Sequence, residues 1–150
     1  MDNFSPRFEL RLLGPPELRL ADAVVTGWRQ PRLLNLLAYV AMEGTVGRNE
    51  VAALLWPDTA AVRAVANLRQ LLYLSRKHAG ARLWECAGEN LRLSANLTCD
   101  ARRLLDAIET DYPGEFLAGL TFPEGPFQDW VENVRRRCRD QAEQLLLRRR

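Results

Sequence analysis

Histidine occurs once, at His78, and cysteine three times, at Cys86, Cys99 and Cys138. No Cys-x-x-Cys pair or cysteine/histidine ligand spacing is present, so no metal site is expected, and three cysteines cannot all pair within one chain. They read as reduced thiols of a cytoplasmic protein. His78 has no cysteine or carboxylate at a spacing that marks a triad. The GxxxxGK[ST] phosphate loop, GxGxxG, HExxH and GxSxG are all missing. The carboxylate pairs Asp106/Glu109 and Asp129/Glu132 sit at helical spacing, which is ordinary surface charge. Neither enzyme chemistry nor a bound cofactor is therefore expected. No run reaches the ~18 apolar residues of a membrane span. The opening MDNFSPRFELRLLG has an early acid and lacks the apolar stretch of a signal peptide, so a membrane partner is not expected either.

What the chain does have is the composition of a globular protein: 150 residues, 47% hydrophobic and 27% charged. Collagen, low complexity and wholesale disorder are excluded. The length suffices for one sizeable core or two small ones. The net charge of +2 says little by itself, but its distribution is uneven. Residues 1–95 carry 12 basic against 9 acidic residues, and residues 96–150 carry 9 against 10. Between Asp58 and Glu85, Arg63, Arg69, Arg76, Lys77 and Arg82 occur with no acid among them. That is the local field a polyanion meets.

The apolar pattern then orders the chain. Phe8, Leu10 and Leu12 alternate with polar neighbours. Gly14-Pro15-Pro16 follows, then Leu18, Leu20, Val24, Val25 and Trp28, which predicts two or three short antiparallel strands. After Pro31 the period becomes helical through Leu33, Leu34, Leu36, Leu37, Tyr39, Val40 and Met42, with Gly44 as the stop. A short helix is expected at about 48–56, with Val51, Leu54 and Leu55 on one face and Trp56-Pro57 ending it. A third helix, at about 59–79, takes Asp58 or Thr59 as N-cap and Gly80 as its stop. Its expected core face is Ala61, Val65, Leu68, Leu72, Ser75 and Ala79. Arg63, Asn67, Arg69, Gln70, Tyr73, Arg76 and Lys77 fall elsewhere on its cylinder. Leu83 to Cys86, a turn at Gly88-Glu89-Asn90, and Leu91 to Leu93 read as a hairpin, with Trp56 and Trp84 as packing residues. Beyond it, Asp100 is expected to cap a helix through Leu104, Leu105 and Ile108. A Tyr112-Pro113-Gly114 turn and a long helix from about Phe127 follow. That helix bears an apolar stripe of Phe127, Trp130, Val131, Val134, Cys138, Ala142, Leu145 and Leu146. The runs Arg135–Arg137 and Arg148–Arg150 read as solvated.

Strands, two helices, a longer helix and a hairpin, in this order, make a winged helix-turn-helix, whose third helix enters the major groove while the wing lies along the backbone. The expected fold class is α+β: a winged helix-turn-helix with N-terminal antiparallel strands and a C-terminal wing hairpin at 1–96, and an α-helical segment at 97–150.

The stretches LRLLGPPELRL, LLNLLAYVAMEG, RNEVAALLWPD and VANLRQLLYLSRK precede the wing; CDARRLLDAI, YPGEFLAGL and FQDWVENVRRR follow it. In this order and spacing, over nearly the whole chain, they resemble bacterial transcriptional activators of the antibiotic regulatory protein type. Members join a response-regulator-like winged helix to a tetratricopeptide-like bacterial transcriptional activator domain. The resemblance implies sequence-specific binding to promoter DNA and transcriptional regulation, with activation the expected direction. Asn67, Arg69 and Gln70 match the family's recognition-helix stretch, and their chemistry agrees: Asn and Gln pair with adenine, Arg with guanine or phosphate. Arg63 lies one turn earlier on the exposed face. Arg32 and Arg48 match the basic residues that open the family's first and second helices and are expected at phosphate, with Arg76, Lys77 and the wing's Arg92. Asn90 also lies at the wing. Tyr73 either meets DNA or packs against the wing.

Two departures stand out. Ser75 falls where the family has leucine and His78-Ala79 replaces a small-then-leucine pair; a missing buried leucine costs on the order of 2–5 kcal/mol, so a looser helix end is expected. The family's activator domain also continues through further helix pairs, whereas this sequence stops at LLLRRR, so a truncated product or a compact variant is expected. The alternative reading is a non-catalytic protein-interaction module. The stripe of the last helix, with Leu145–Leu147 at its end, then serves a partner: a second copy of the chain through residues 98–150, or RNA polymerase.

Overall fold

The structure, a computed structural model, describes residues 7–26, 28, 30–79 and 81–148. The chain divides into two compact units, one made of the residues up to Glu9 with Leu18–Leu97, the other of Leu10–Glu17 with the chain from Thr98 onward.

Alternation forms the first strands as expected. In β1 (Phe8–Arg11) the buried residues are Phe8 and Leu10, and β2 (Glu17–Leu20) turns Leu18 inward. β3 (Ala23–Val24) pairs antiparallel with β2 after a tight turn in which Ala21 takes φ +56°. Gln30, Pro31 and Gly44 bound α1 (Pro31–Glu43): the Gln30 carboxamide accepts from Leu33 N at 2.8 Å, Pro31 fills the first turn, and Gly44 takes φ +89° at the stop. Leu33, Leu34, Leu36, Leu37, Ala38, Val40 and Met42 are all buried, as befits a helix apolar almost all round.

A two-residue strand, β4 (Val46–Gly47), leads straight into α2 (Arg48–Leu55). Glu50 reaches back to Gly47 N at 3.3 Å, which is half a capping box, since glycine has no side chain for the other half. α3 (Ala61–Ala79) packs closely on α2, the helix-turn-helix contact. It starts later than the predicted caps require: Ala60 O accepts from Ala64 N, so Ala60, and neither Asp58 nor Thr59, stands at the N-cap position. The expected stop, Gly80, and the Ala79 side chain lie outside what the structure describes. A 3-10 turn (Ala81–Leu83) then enters the hairpin of β5 (Trp84–Ala87) and β6 (Asn90–Leu93), closed by Gly88 at φ +60° and Glu89. β4 adds to β6, giving the three-stranded order β4-β6-β5. The core of this unit is built from α1, Val51, Ala52 and Leu55 of α2, Ala64, Leu68, Leu71 and Leu72 of α3, and Leu83, Trp84 and Leu91 beneath the hairpin. The buried stripe of α3 therefore runs through Ala64 and Leu71, and Ala61 is exposed.

β7 (Leu97–Cys99) completes a four-stranded sheet of order β3-β2-β1-β7. α4 (Asp100–Leu105) follows, but Cys99 is its N-cap residue and makes no side-chain capping bond. The Asp100 carboxylate instead accepts from Leu12 N at 2.7 Å and Leu13 N at 3.2 Å, besides its neighbour Ala101 N. α4 ends before the predicted Ile108, because Ala107 turns to φ +60° and leaves Ile108 exposed. Leu13 bridges to Phe116, and Gly114 lies against Gly14 so closely that a Cβ there would stand 3.0 Å from Gly14 Cα. Fully buried Leu117 holds φ +52°.

α5 (Pro126–Arg148) buries Phe127, Val131, Val134 and Cys138 against α4 and this loop. Phe127 and Trp130 stand with Phe116 and Phe122 in an aromatic cluster with ring centroids 5.4–5.8 Å apart. Arg135 departs from the solvated run expected of it. Its guanidinium donates to Phe116 O and Leu117 O at 2.8 Å and to Leu120 O at 3.1 Å, capping the turn that Leu117 bends. The cysteines are free, and burial pushes the Cys99 and Cys138 thiols up to about 12 and about 11. Among the described residues no helix is long and apolar enough to cross a membrane.

Candidate nucleic-acid interface

The outward face of α3 gathers most of the candidate residues. Ala64, Leu68, Leu71, Leu72 and Ser75 are buried, which leaves the opposite side of the cylinder to solvent. At about 100° per residue, that side runs from Arg76 and Arg69 at one edge, through Val62, Tyr73, Ala66, Lys77, Gln70 and Arg63, to Asn67 at the other. All seven residues singled out on this helix thus share one half of it. Its last turn is basic, with Arg76, Lys77 and His78, and its first turn holds no acid. Among the described residues, the side chains of Arg63, Arg69, Gln70 and Lys77 are held in no hydrogen bond or ion pair. Val62, at 86% exposed, and Tyr73, at 69%, add apolar surface to the same face. The sequence reading passed over Val62; its place on the arc, four residues before Ala66, is the signal that finds it.

Asn67, Gln70 and Tyr73 also form one wall of an open groove of about 810 Å³ whose other wall is the start of α1, with Gln30, Pro31 and Arg32. Trp56 lies at its base, half-buried, with the Arg32 guanidinium 5.2 Å from its ring centroid. The positive end of α1 and a stacked arginine therefore border the polar edge of α3.

The remaining candidates lie nearer the wing. Arg48, the first residue of α2, is half-buried; its backbone N–H donates to Glu89 O at 2.8 Å, and its Nε is buried without a hydrogen-bond partner among the described residues. Arg92 faces Glu85 across the hairpin and gives its Nε to that carboxylate at 2.9 Å. The backbone N–H of Ala95 and, after it, the Arg92 guanidinium hold the Glu85 carboxyl below its usual range. Asn90 stands at the turn end of β6, opposite Ala87 on one side and Gly47 on the other. Arg76 points its Nη2 at Cys86 Sγ, 3.6 Å away, so it belongs to the wing as much as to the helix face. No group of histidine, cysteine and carboxylate residues suited to a metal ion occurs among the described residues.

No protein-family model matches the chain, and no curated protein matches it. A solved structure does: Mycobacterium tuberculosis EmbR in complex with a low-affinity phosphopeptide superimposes on 95% of this chain with a TM-score of 0.60 and 19% sequence identity. The chain spans 44% of that chain's length. At this identity the likeness is one of fold. The α+β arrangement expected from the sequence, with N-terminal strands, three helices, a wing hairpin and a helical remainder, is the one observed.

Proposed function

We propose that the chain is a sequence-specific DNA-binding transcriptional regulator of the antibiotic regulatory protein type, an activator working in the cytoplasm, and that α3 reads the major groove of a promoter site. The observation that carries this reading is the acid-free arc of α3, set in a winged helix-turn-helix. The motif order and the fold shared with EmbR support it. In this reading the DNA-binding domain is residues 1–96, and residues 97–150 begin a helical activator domain.

Arg63, Asn67, Arg69 and Gln70 supply discrimination, each good base contact being worth about 1–3 kcal/mol. Val62 and Tyr73 offer apolar contact to thymine methyl groups. Arg32, Arg48, Arg76, Lys77 and Arg92 supply phosphate contacts and the salt dependence that comes with them. With a net charge of only +2, a single copy binds weakly, and two copies on neighbouring half-sites bind well. The helical part serves that pairing or contact with RNA polymerase, and exposed Leu146 and Leu147 at the end of α5 favour a homodimer through residues 98–150. Sedimentation that finds only monomer at high micromolar concentration removes the dimer.

The DNA reading is tested by a salt series of fluorescence anisotropy on random duplex DNA, comparing the parent with Arg63→Ala, Asn67→Ala and Arg69→Ala. The expected result is a log–log salt slope of several charges and weaker binding by the variants. Absence of binding at low salt overturns the reading.

A further inference from the structure

Ser75 is 1% exposed, in the later part of α3, and both hydrogen-bonding capacities of its hydroxyl are used. It donates to Leu72 O at 2.9 Å and accepts from Trp84 Nε1 at 2.6 Å. Trp84 is the first residue of β5, and its indole is buried. The next residue, Glu85, accepts from Arg92 Nε at 2.9 Å and from Ala95 N at 3.2 Å. One hydroxyl therefore ties α3 to the strand whose following carboxylate holds the wing arginine. A leucine at position 75 fills the space but leaves a buried indole N–H unpaired, which is the costlier fault. The contact of Arg76 with Cys86 joins the same two elements one residue further on.

We propose that Ser75 is a positioning residue for DNA recognition: its bond to Trp84 locks the wing to α3, so that Arg92 and the α3 arc meet DNA at a fixed separation. The inference rests on the DNA-binding reading above. Preorganisation is the physical gain, because two contact elements already held in register lose little freedom when both engage one duplex. Without the bond, α3 still docks but the wing no longer holds Arg92 against the duplex.

The test uses the full chain in salt-series anisotropy on duplex DNA, with thermal melts in parallel. Ser75→Ala and Trp84→Phe are each expected to weaken binding several-fold and to lower the log–log salt slope by about 0.9, one phosphate contact. Combining the two is expected to add nothing, and Arg92→Ala is expected to have no further effect in the Ser75→Ala background. Ser75→Thr, which keeps the hydroxyl, restores the parent slope. A loss of stability alone lowers the active fraction and leaves the slope unchanged. If Ser75→Ala does not fold, Trp84→Phe decides, because it leaves the serine bonded to Leu72 O. Folded variants with the parent's affinity and slope overturn the inference while the DNA-binding reading stands. A parent that binds no DNA at low salt overturns both.

Discussion

The Tyr39 hydroxyl donates to Glu50 Oε2 at 2.7 Å, joining α1 to α2, while the other oxygen of the same carboxylate accepts from Gly47 N. One acid thus holds the first helix and caps the second. Tyr39→Phe removes the shared bond and is expected to cost about 0.5–1.5 kcal/mol of stability, read by urea denaturation at neutral pH. Burial, with the Glu50 carboxylate beside it, raises the Tyr39 hydroxyl above its usual 10. The folded state therefore favours the neutral phenol. Its contribution is fully present below about pH 10 and is lost as pH climbs beyond it. The parent's advantage over Tyr39→Phe should shrink between pH 9 and pH 11.

Charge and amide contacts on α3 separate by their effect on sequence preference. Lys77→Ala should weaken binding to matched and unmatched duplexes alike and reduce the salt slope by about 1. Asn67→Ala should leave the slope unchanged and cost more on a selected site, by about 1–3 kcal/mol, than on random duplex DNA. Equal losses on both DNAs for Asn67→Ala would remove it from the reading face.

Arg135 spans three carbonyl oxygens with one planar guanidinium, and a lysine ammonium, compact and differently shaped, does not reproduce that reach. Arg135→Lys should lose about 1–3 kcal/mol and Arg135→Met more, since all three bonds then go. Chemical denaturation of the whole chain measures both. Equal stability of the lysine variant and the parent would contradict the clamp.

Gly114 has no room for a methyl group, because its Cβ would stand 3.0 Å from Gly14 Cα and 3.3 Å from Gly14 N, both backbone atoms. Gly114→Ala is expected to destabilise the unit by about 1–3 kcal/mol. A thermal melt unchanged from the parent would show that the two segments separate freely.

The first two helices were legible because each is bounded by its own neighbours: Pro31 and Gly44 around α1, Trp56-Pro57 after α2. β4 and β7 were not, since a strand of two or three residues has no period and exists through pairing with distant strands. The core face of α3 was misread at Ala61 because alanine is equally at home on either side, and only packing against α2 selects Ala64. Asp100 fits the statistics of an N-cap, yet two backbone N–H groups far away in sequence claim its carboxylate. Ser75 looked like a defect in an apolar stripe until Trp84 stood opposite it. The exposed arc of α3 follows from spacing alone, whereas the pairing of Arg92 with Glu85 depended on the register of the hairpin.

The bond from Leu12 N to Asp100 crosses 88 residues of sequence. On a ribosome adding roughly 5–20 residues per second, Leu12 therefore waits on the order of ten seconds for its acceptor. Leu18–Leu97 is complete by then, while the backbone N–H groups of Leu12 and Leu13 stay open until Asp100 has emerged. Synthesis thus presents a nearly whole winged helix trailing an unsatisfied N-terminal strap, and shortening that strap would spoil the later-made unit while sparing most of the earlier one.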